Sequence, residues 1–186
     1  RIRRLEAEHC GARCESGVCA QPFQDLSVGV AQACTLNGVG SLACWGDNGS
    51  GQSKAPEGSY KQVSTGGKHV CAIRTDDTVV CWGGGDAITP TSDRFREVSA
   101  GGGHTVGIRL DGTLAYWGNT YTIPSQTLIL PADSFKHVSA GGDFSCAIRS
   151  TDDSIVCWGK NTSGQLNAPA GAYKQVSAGG IYYSLA

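Results

Sequence analysis

Residues 60–85 read YKQVSTGGKHVCAIRTDDTVVCWGGG, and this stretch decides the fold. It divides into three short runs separated by turn signals: YKQVST closed by Gly66-Gly67, HVCAIR closed by Thr75-Asp76-Asp77, and TVVCWG closed by glycines. β-branched and aromatic residues dominate the runs, and no 3.6-residue period extends over ten positions, so each run reads as a strand. With Thr75–Asp77 as a hairpin loop, Arg74 faces Thr78, and counting back sets Cys71 directly opposite Cys81. Directly opposed residues of an antiparallel pair have Cα atoms roughly 4.5–5.5 Å apart, within the span that a disulfide tolerates. Trp82, the next residue, points to the other face of the sheet.

The phrase returns along the chain with a period of about 38 residues, a spacing that marks a repeat architecture. Copies open at Phe23, Tyr60, Phe95 and Phe135, each on an aromatic, and a fifth begins at Tyr173 and stops partway through its second strand. Trp45, Trp82, Trp117 and Trp158 fall at one repeat position and are each followed by Gly, which makes them the expected blade core together with the opening aromatics. In the third copy the loop is Leu110-Asp111-Gly112, with Gly at the left-handed position of a bulged hairpin. The Gly-Gly that ends each first strand lets backbones approach where a side chain would collide.

The cysteines follow the repeat. Cys34 and Cys44 in the first copy, Cys71 and Cys81 in the second, and Cys146 and Cys157 in the fourth occupy matching positions, the last pair with one residue added in its turn. The third copy has Val106 and Tyr116 there, so the pair is lost together, as bonded partners would be. Three disulfides within repeats are therefore expected, Cys34–Cys44, Cys71–Cys81 and Cys146–Cys157. Buried free thiols are the bland alternative, and zinc across repeats lacks the short C-x₂₋₄-C knuckle. Cys10, Cys14 and Cys19 lie outside the repeat. With His9 they read either as a small cysteine-rich knot or as a loosely spaced Cys₃His zinc site, and the odd cysteine calls for a partner elsewhere.

Composition narrows the function. The formal net charge of the 186 residues is -1, which supplies no field to hold nucleic acid or an anionic surface. No apolar run approaches the eighteen or so residues of a membrane helix, so no membrane insertion is expected. No G-x-S-x-G elbow, phosphate loop or H-E-x-x-H occurs. His69 and His104 share a repeat position with Gln32 and Phe144, so blade geometry explains them. Asp76, Asp77, Asp152 and Asp153 sit in hairpin turns that favour Asp for its side-chain hydrogen bonds. Asn48-Gly-Ser and Asn161-Thr-Ser are formal glycosylation sequons, but both stand in the repeated Asn-x-x-Gly-Gln turn, which accounts for them without glycans. No catalytic, cofactor-binding or metal-binding residue is expected, and the chain reads as a non-enzyme.

The phrases VSAGGGHTVGIRLDGTLAYWGN and VSAGGDFSCAIRSTDDSIVCWGKNTSGQ resemble repeats of the regulator-of-chromosome-condensation family. The resemblance runs from Phe23 to the end and rests on the ordered Gly-Gly, hairpin Asp-Gly, Trp-Gly and Asn-x-x-Gly-Gln. It implies an all-β propeller, usually of seven blades, and the paired cysteines resemble the extracytoplasmic branch of the family. The family includes a nuclear nucleotide-exchange factor, a secreted bacterial β-lactamase inhibitor and ectodomains of plant receptor kinases. The expected organisation is a cysteine-rich segment over residues 1–22 and propeller repeats over 23–186. The repeats span 23–59, 60–94, 95–134, 135–172 and a partial 173–186, as part of a larger ring.

Function in such a scaffold is expected in the loops that break the template. Residues 83–94 and 118–134 replace the regular connector, and the second carries Tyr121, Ile123, Leu128, Ile129 and Leu130 outside any strand phase, which reads either as a partner-binding loop or as a loop packed under the rim. The leading expectation is a disulfide-stabilised protein-binding module, or a subunit of a larger complex, in an extracellular or other oxidising compartment. The alternatives are an inhibitor of a secreted enzyme and a guanine-nucleotide exchange factor-like regulator; a glycan-binding or hydrolytic propeller is a further reading. Oxidised cysteines and neutral charge oppose the exchange factor, since a nuclear protein keeps its thiols reduced.

Overall fold

The computed structural model describes residues 14–15, 18–19, 23–85, 92–118 and 130–179. Among these residues every regular element is a strand, and no helix is long and apolar enough to cross a membrane. β1 (Cys14–Glu15) and β2 (Val18–Cys19) pair antiparallel with Cys14 opposite Cys19; Cys10 lies outside the described residues.

The repeats then build four three-stranded antiparallel sheets in chain order. Blade A comprises β3 (Phe23–Val28), β4 (Gln32–Asn37) and β5 (Leu42–Gly46). Blade B comprises β6 (Tyr60–Thr65), β7 (His69–Arg74) and β8 (Val79–Gly83). Blade C comprises β9 (Phe95–Ala100), β10 (His104–Arg109) and β11 (Leu114–Gly118). Blade D comprises β12 (Phe135–Ala140), β13 (Phe144–Arg149) and β14 (Ile155–Gly159). The fold is an all-β propeller arrangement, each sheet packed face to face on the next.

The hairpin turns show why the aspartates recur. The left-handed position is held by Gly112 in blade C (φ 90°) but by Asp77 and Asp153 in blades B and D (φ 73° and 61°). Asp tolerates this region better than most residues. The carboxylate of Asp76 accepts the backbone N–H and hydroxyl of Thr78, and Asp111 and Asp152 do the same for Thr113 and Ser154. These bonds hold all three carboxyls below the usual range. A bulge next to each opening aromatic, between Tyr60 and Gln62 in blade B, offsets the first strand against the second. Tyr60, Phe95 and Phe135 are buried.

Middle strands are buried on both faces, which is why HVCAIR and HTVGIR read as continuous rather than alternating. Forward-facing Cys71 and Ile73 join Phe95, Val98 and Trp117 of blade C, while backward-facing Val70 and Ala72 join Cys34 and Leu36 of blade A. The third seam repeats the pattern with Val106, Ile108 and Leu114 against Phe135, Val138 and Trp158. The core is thus a series of sandwiches between blades.

Two expectations need correction. Trp45 is not core: it is 53% exposed, with Leu26 and Val28 of the same blade at 61% and 70%. The repeated Trp faces the preceding blade, and among the described residues none stands before blade A. The fifth copy forms no strand over 173–179, and residues 180–186 lie outside the described residues. It is anchored instead by Tyr173 N–H to the Asp153 carbonyl at 2.9 Å and Ala178 N–H to Ser139 Oγ at 2.8 Å. Among the described residues this segment has no neighbouring strand with which to build a ladder.

Candidate functional site

The first strand of each blade is an edge strand, and its outward N–H groups would otherwise be unpaired. Each preceding blade satisfies them with side chains. Ser27, Ser64, Ser99 and Ser139 offer Oγ to the N–H of Thr65, Ala100, Ala140 and Ala178, at 2.8–2.9 Å. Two positions earlier, Asp25 and Glu97 accept the N–H of Val63 and Val138. Gln62 works as a backbone mimic, accepting from Val98 N–H at 2.9 Å and donating to its carbonyl at 3.2 Å. His137 bridges three layers, with Nδ1 2.7 Å from Glu97 of blade C and Nε2 3.0 Å from the Val176 carbonyl. The bond to Glu97 raises its pKa, outweighing the opposing desolvation.

Sequence reasoning missed this seam ladder. Its signal was present: a polar residue precedes V-S or L-S in every copy, as Asp25, Gln62, Glu97 and His137. A polar residue kept at one fixed position of the repeat marks a side chain whose partner is in another repeat.

The repeated histidines belong to the same seams. His69 Nε2 lies 2.8 Å from Thr105 Oγ1 of blade C, and His104 Nε2 lies 2.8 Å from Ser145 Oγ of blade D. Gln32 at the equivalent position of blade A donates to the Gly66 carbonyl at 3.0 Å, because Val70 offers no hydroxyl. Desolvation lowers the pKa of His69 to about 4, with the neighbouring His104 adding to the shift. Desolvation likewise lowers His104 to about 4, against a smaller upward pull from Asp143. Both are neutral at pH 7.

The glycines complete the contact. Gly67 N–H donates to the Gly101 carbonyl at 3.0 Å and Gly102 N–H to the Gly141 carbonyl at 3.0 Å. A Cβ on Gly67 would lie 2.2 Å from the Gly102 carbonyl oxygen, and one on Gly101 2.3 Å from that of Gly141. Because backbone stands on both sides, Gly67→Ala is expected to force the blades apart and cost about 2 kcal/mol, read as a lower urea midpoint. Along this glycine edge runs an open cleft of about 240 Å³, lined by Val28, Thr65, Gly66, Ala100 and Gly101 among others. Its lining is small and largely backbone. Among the described residues no group of three or more His, Cys, Asp or Glu converges to hold a metal ion.

The sulfurs lie where the hairpin register brings them together. Cys34–Cys44, Cys71–Cys81 and Cys146–Cys157 are bonded at 2.06, 2.07 and 2.07 Å, with Cα atoms 4.1, 4.1 and 4.0 Å apart. In blade C, Val106 faces Tyr116 at the same register, and the Tyr116 ring stacks on His104 with centroids 5.3 Å apart. Burial pushes the Tyr116 hydroxyl up to about 12.

Trp82, Trp117 and Trp158 are buried at the seams, but only the first is anchored by a polar contact among the described residues. Its Nε1 donates to the Gln52 carbonyl at 2.9 Å, so the Asn-x-x-Gly-Gln connector of blade A seats the Trp of blade B. Trp117 Nε1 and Trp158 Nε1 have no acceptor among the described residues, and the connectors before them are the two that break the template. Trp82→Phe is therefore expected to cost about 1 kcal/mol more than Trp117→Phe in urea unfolding. Equal costs would show that the Gln52 contact contributes nothing. Of the expected binding loop, Tyr121, Ile123, Leu128 and Ile129 lie outside the described residues, and Leu130 packs partly buried against the seam between blades C and D.

Disulfide-clamped blades joined by a side-chain ladder define a class, the β-propeller built from repeated three-stranded units. Residues 60–87 and 135–165 match the regulator of chromosome condensation (RCC1) repeat model. Among solved structures, the chain is similar to the CRINKLY WD40 ectodomain of the Arabidopsis thaliana receptor kinase ACR4. The identity is 25% and the TM-score 0.69, over 89% of this chain and 58% of that one. It is similar in fold to the entire ectodomain of the Physcomitrella patens receptor kinase CR4, at 24% identity and TM-score 0.72, over 86% and 45% of the two chains. Yeast RCC1 (Prp20), solved bound to Kap60, shares the fold at 19% identity and TM-score 0.64, over 76% and 44%. The chain thus spans 58% and 45% of the two ectodomains.

Proposed function

We propose that the chain is a non-enzymatic protein-binding module of a β-propeller that works in an extracellular or other oxidising compartment. The observation that carries this reading is the clamp within blades A, B and D, three disulfides placed between adjacent strands of single hairpins. Such bonds persist where thiols are not kept reduced. Similarity to two receptor-kinase ectodomains supports the same compartment. A scaffold whose edge strands are already paired through side chains loses little further freedom on association, which lowers the cost of binding. The buried histidines are engaged in seams and take no part in chemistry.

Partner contact falls to the segments that leave the template, residues 83–94 and 118–134. The test exchanges residues 119–129 for the regular connector of blade A and compares capture of extracellular proteins by the two forms, alongside their unfolding midpoints. Loss of capture at an unchanged midpoint is expected. Equal capture by both forms removes the loop as the docking element, and free thiols in peptides mapped without reduction remove the compartment.

A further inference from the structure

Asn48 and Asn161 open equivalent turns in the connectors that leave blades A and D, and each begins an Asn-x-Ser acceptor sequence, Asn48-Gly49-Ser50 and Asn161-Thr162-Ser163. The turn and the acceptor sequence place different demands on these residues, and the structure separates them. Asn48 Oδ1 accepts the backbone N–H of Ser53 at 3.1 Å, and Asn161 Oδ1 accepts that of Leu166 at 3.0 Å. A main-chain N–H only donates, so the amide oxygen must face the turn in both residues. Nδ2 is thereby turned away from the turn, and among the described residues it has no hydrogen-bond partner at either position. The serines behave alike. Their N–H groups donate to Gln52 Oε1 at 2.8 Å and Gln165 Oε1 at 2.7 Å, and neither hydroxyl is engaged.

The turn therefore uses the asparagine oxygen and the serine main chain, and leaves unused the amide nitrogen and hydroxyl that define the acceptor sequence. An aspartate would offer the turn the same oxygen. Both asparagines are exposed. Blade B already follows the connector of Asn48 and does not cover it, so by repeat equivalence a blade following the connector of Asn161 leaves that residue open as well.

We infer that Asn48 and Asn161 carry N-linked glycans, an inference that rests on the oxidising, secretory reading above. In the transfer, a bond forms between the anomeric carbon of the first sugar and Nδ2. The bond from that carbon to the diphosphate of a lipid-linked oligosaccharide donor breaks, the lipid diphosphate leaves with the electron pair, and a base of the transferase takes one amide proton. The glycans stand on the glycine edge, since Gly46 and Gly159 at the ends of β5 and β14 lie opposite Gln32 and Phe144 at the starts of β4 and β13. They screen that edge over blades A and D.

The test digests the protein from its natural source without reduction and treats the peptides with peptide-N-glycosidase in heavy-oxygen water. Asn48 and Asn161 are expected to be read as heavy-oxygen aspartate, beside disulfide-linked peptides of Cys71 and Cys81. Linked cysteines with unmodified Asn48 and Asn161 overturn the glycan inference and leave the compartment standing; free thiols at Cys71 and Cys81 overturn both. In a secreting eukaryotic cell, Ser50→Ala with Ser163→Ala is expected to abolish the glycosidase-sensitive mass without moving the unfolding midpoint. Persistence of that mass in the double variant overturns the assignment to these two residues.

Discussion

Lowering the pH from 7 to 4 is expected to strip about 3 kcal/mol of stability for each of His69 and His104. In the unfolded chain both imidazoles bind a proton near pH 6.5, whereas desolvation in the seams delays this to about 4. Between those values the unfolded state holds more protons, so stability falls with falling pH; above 6.5 these two groups have no effect. His137 runs the other way. Its pKa is raised by Glu97, so its contribution is present below the unfolded value and is lost as pH rises through the folded one. Over this range the acid loss belongs mainly to the two buried rings, whose hydroxyl partners Thr105 and Ser145 cannot compensate a buried cation. The low carboxyls of Asp76, Asp111 and Asp152 add to it at the acid end. Urea midpoints between pH 7 and 4.5 read the slope. Gln32 shows that Gln serves at this repeat position, so His69→Gln is expected to fold and to lose about half of the acid dependence. An acid slope unchanged by His69→Gln would refute the assignment.

Replacing Cys71 and Cys81 by alanine is expected to cost about 3 kcal/mol, from the loss of loop-closure entropy for a short closed loop. In a chain of this length that corresponds to an unfolding temperature lower by about 6–12 °C. Cys71 is fully buried and packs with Ile73, Phe95, Val98 and Trp117, so the change also removes volume from the seam between blades B and C. The same pair replaced by Val and Tyr, as at Val106 and Tyr116, is expected to recover part of the loss, because blade C holds that register without a disulfide. A double alanine variant with an unchanged transition would show that the hairpin is held without its sulfur bridge.

Much of the blade was legible in the chain. The strand boundaries, the hairpin register and the facing cysteines follow from local rules: alternation of side chains along a strand, the residue needs of tight turns, and the recurrence of one phrase at fixed spacing. These are short-range constraints, and a repeat states each of them several times, so that Val106 opposite Tyr116 serves as a control for Cys71 opposite Cys81. The seam ladder was harder to read. Asp25, Gln62, Glu97 and His137 share a position but differ in charge and size, and what unites them is the main chain of the next blade. A partner more than thirty residues away leaves only that shared polar position as its mark, and nothing local says what the position pairs with.

Sequence by itself therefore determined the unit: three strands, a clamped hairpin, an aromatic on each face and glycines where backbones cross. Tertiary structure decided which copies of that unit are covered. Trp45 and Trp82 occupy the same repeat position, yet one is exposed and the other is seated on the Gln52 carbonyl. It also decided that His69 and His104 are neutral seam residues, since the shift in their protonation comes from the low-dielectric environment that two packed blades create together. Burial is a property of the pair of blades, and no single repeat encodes its neighbour's presence.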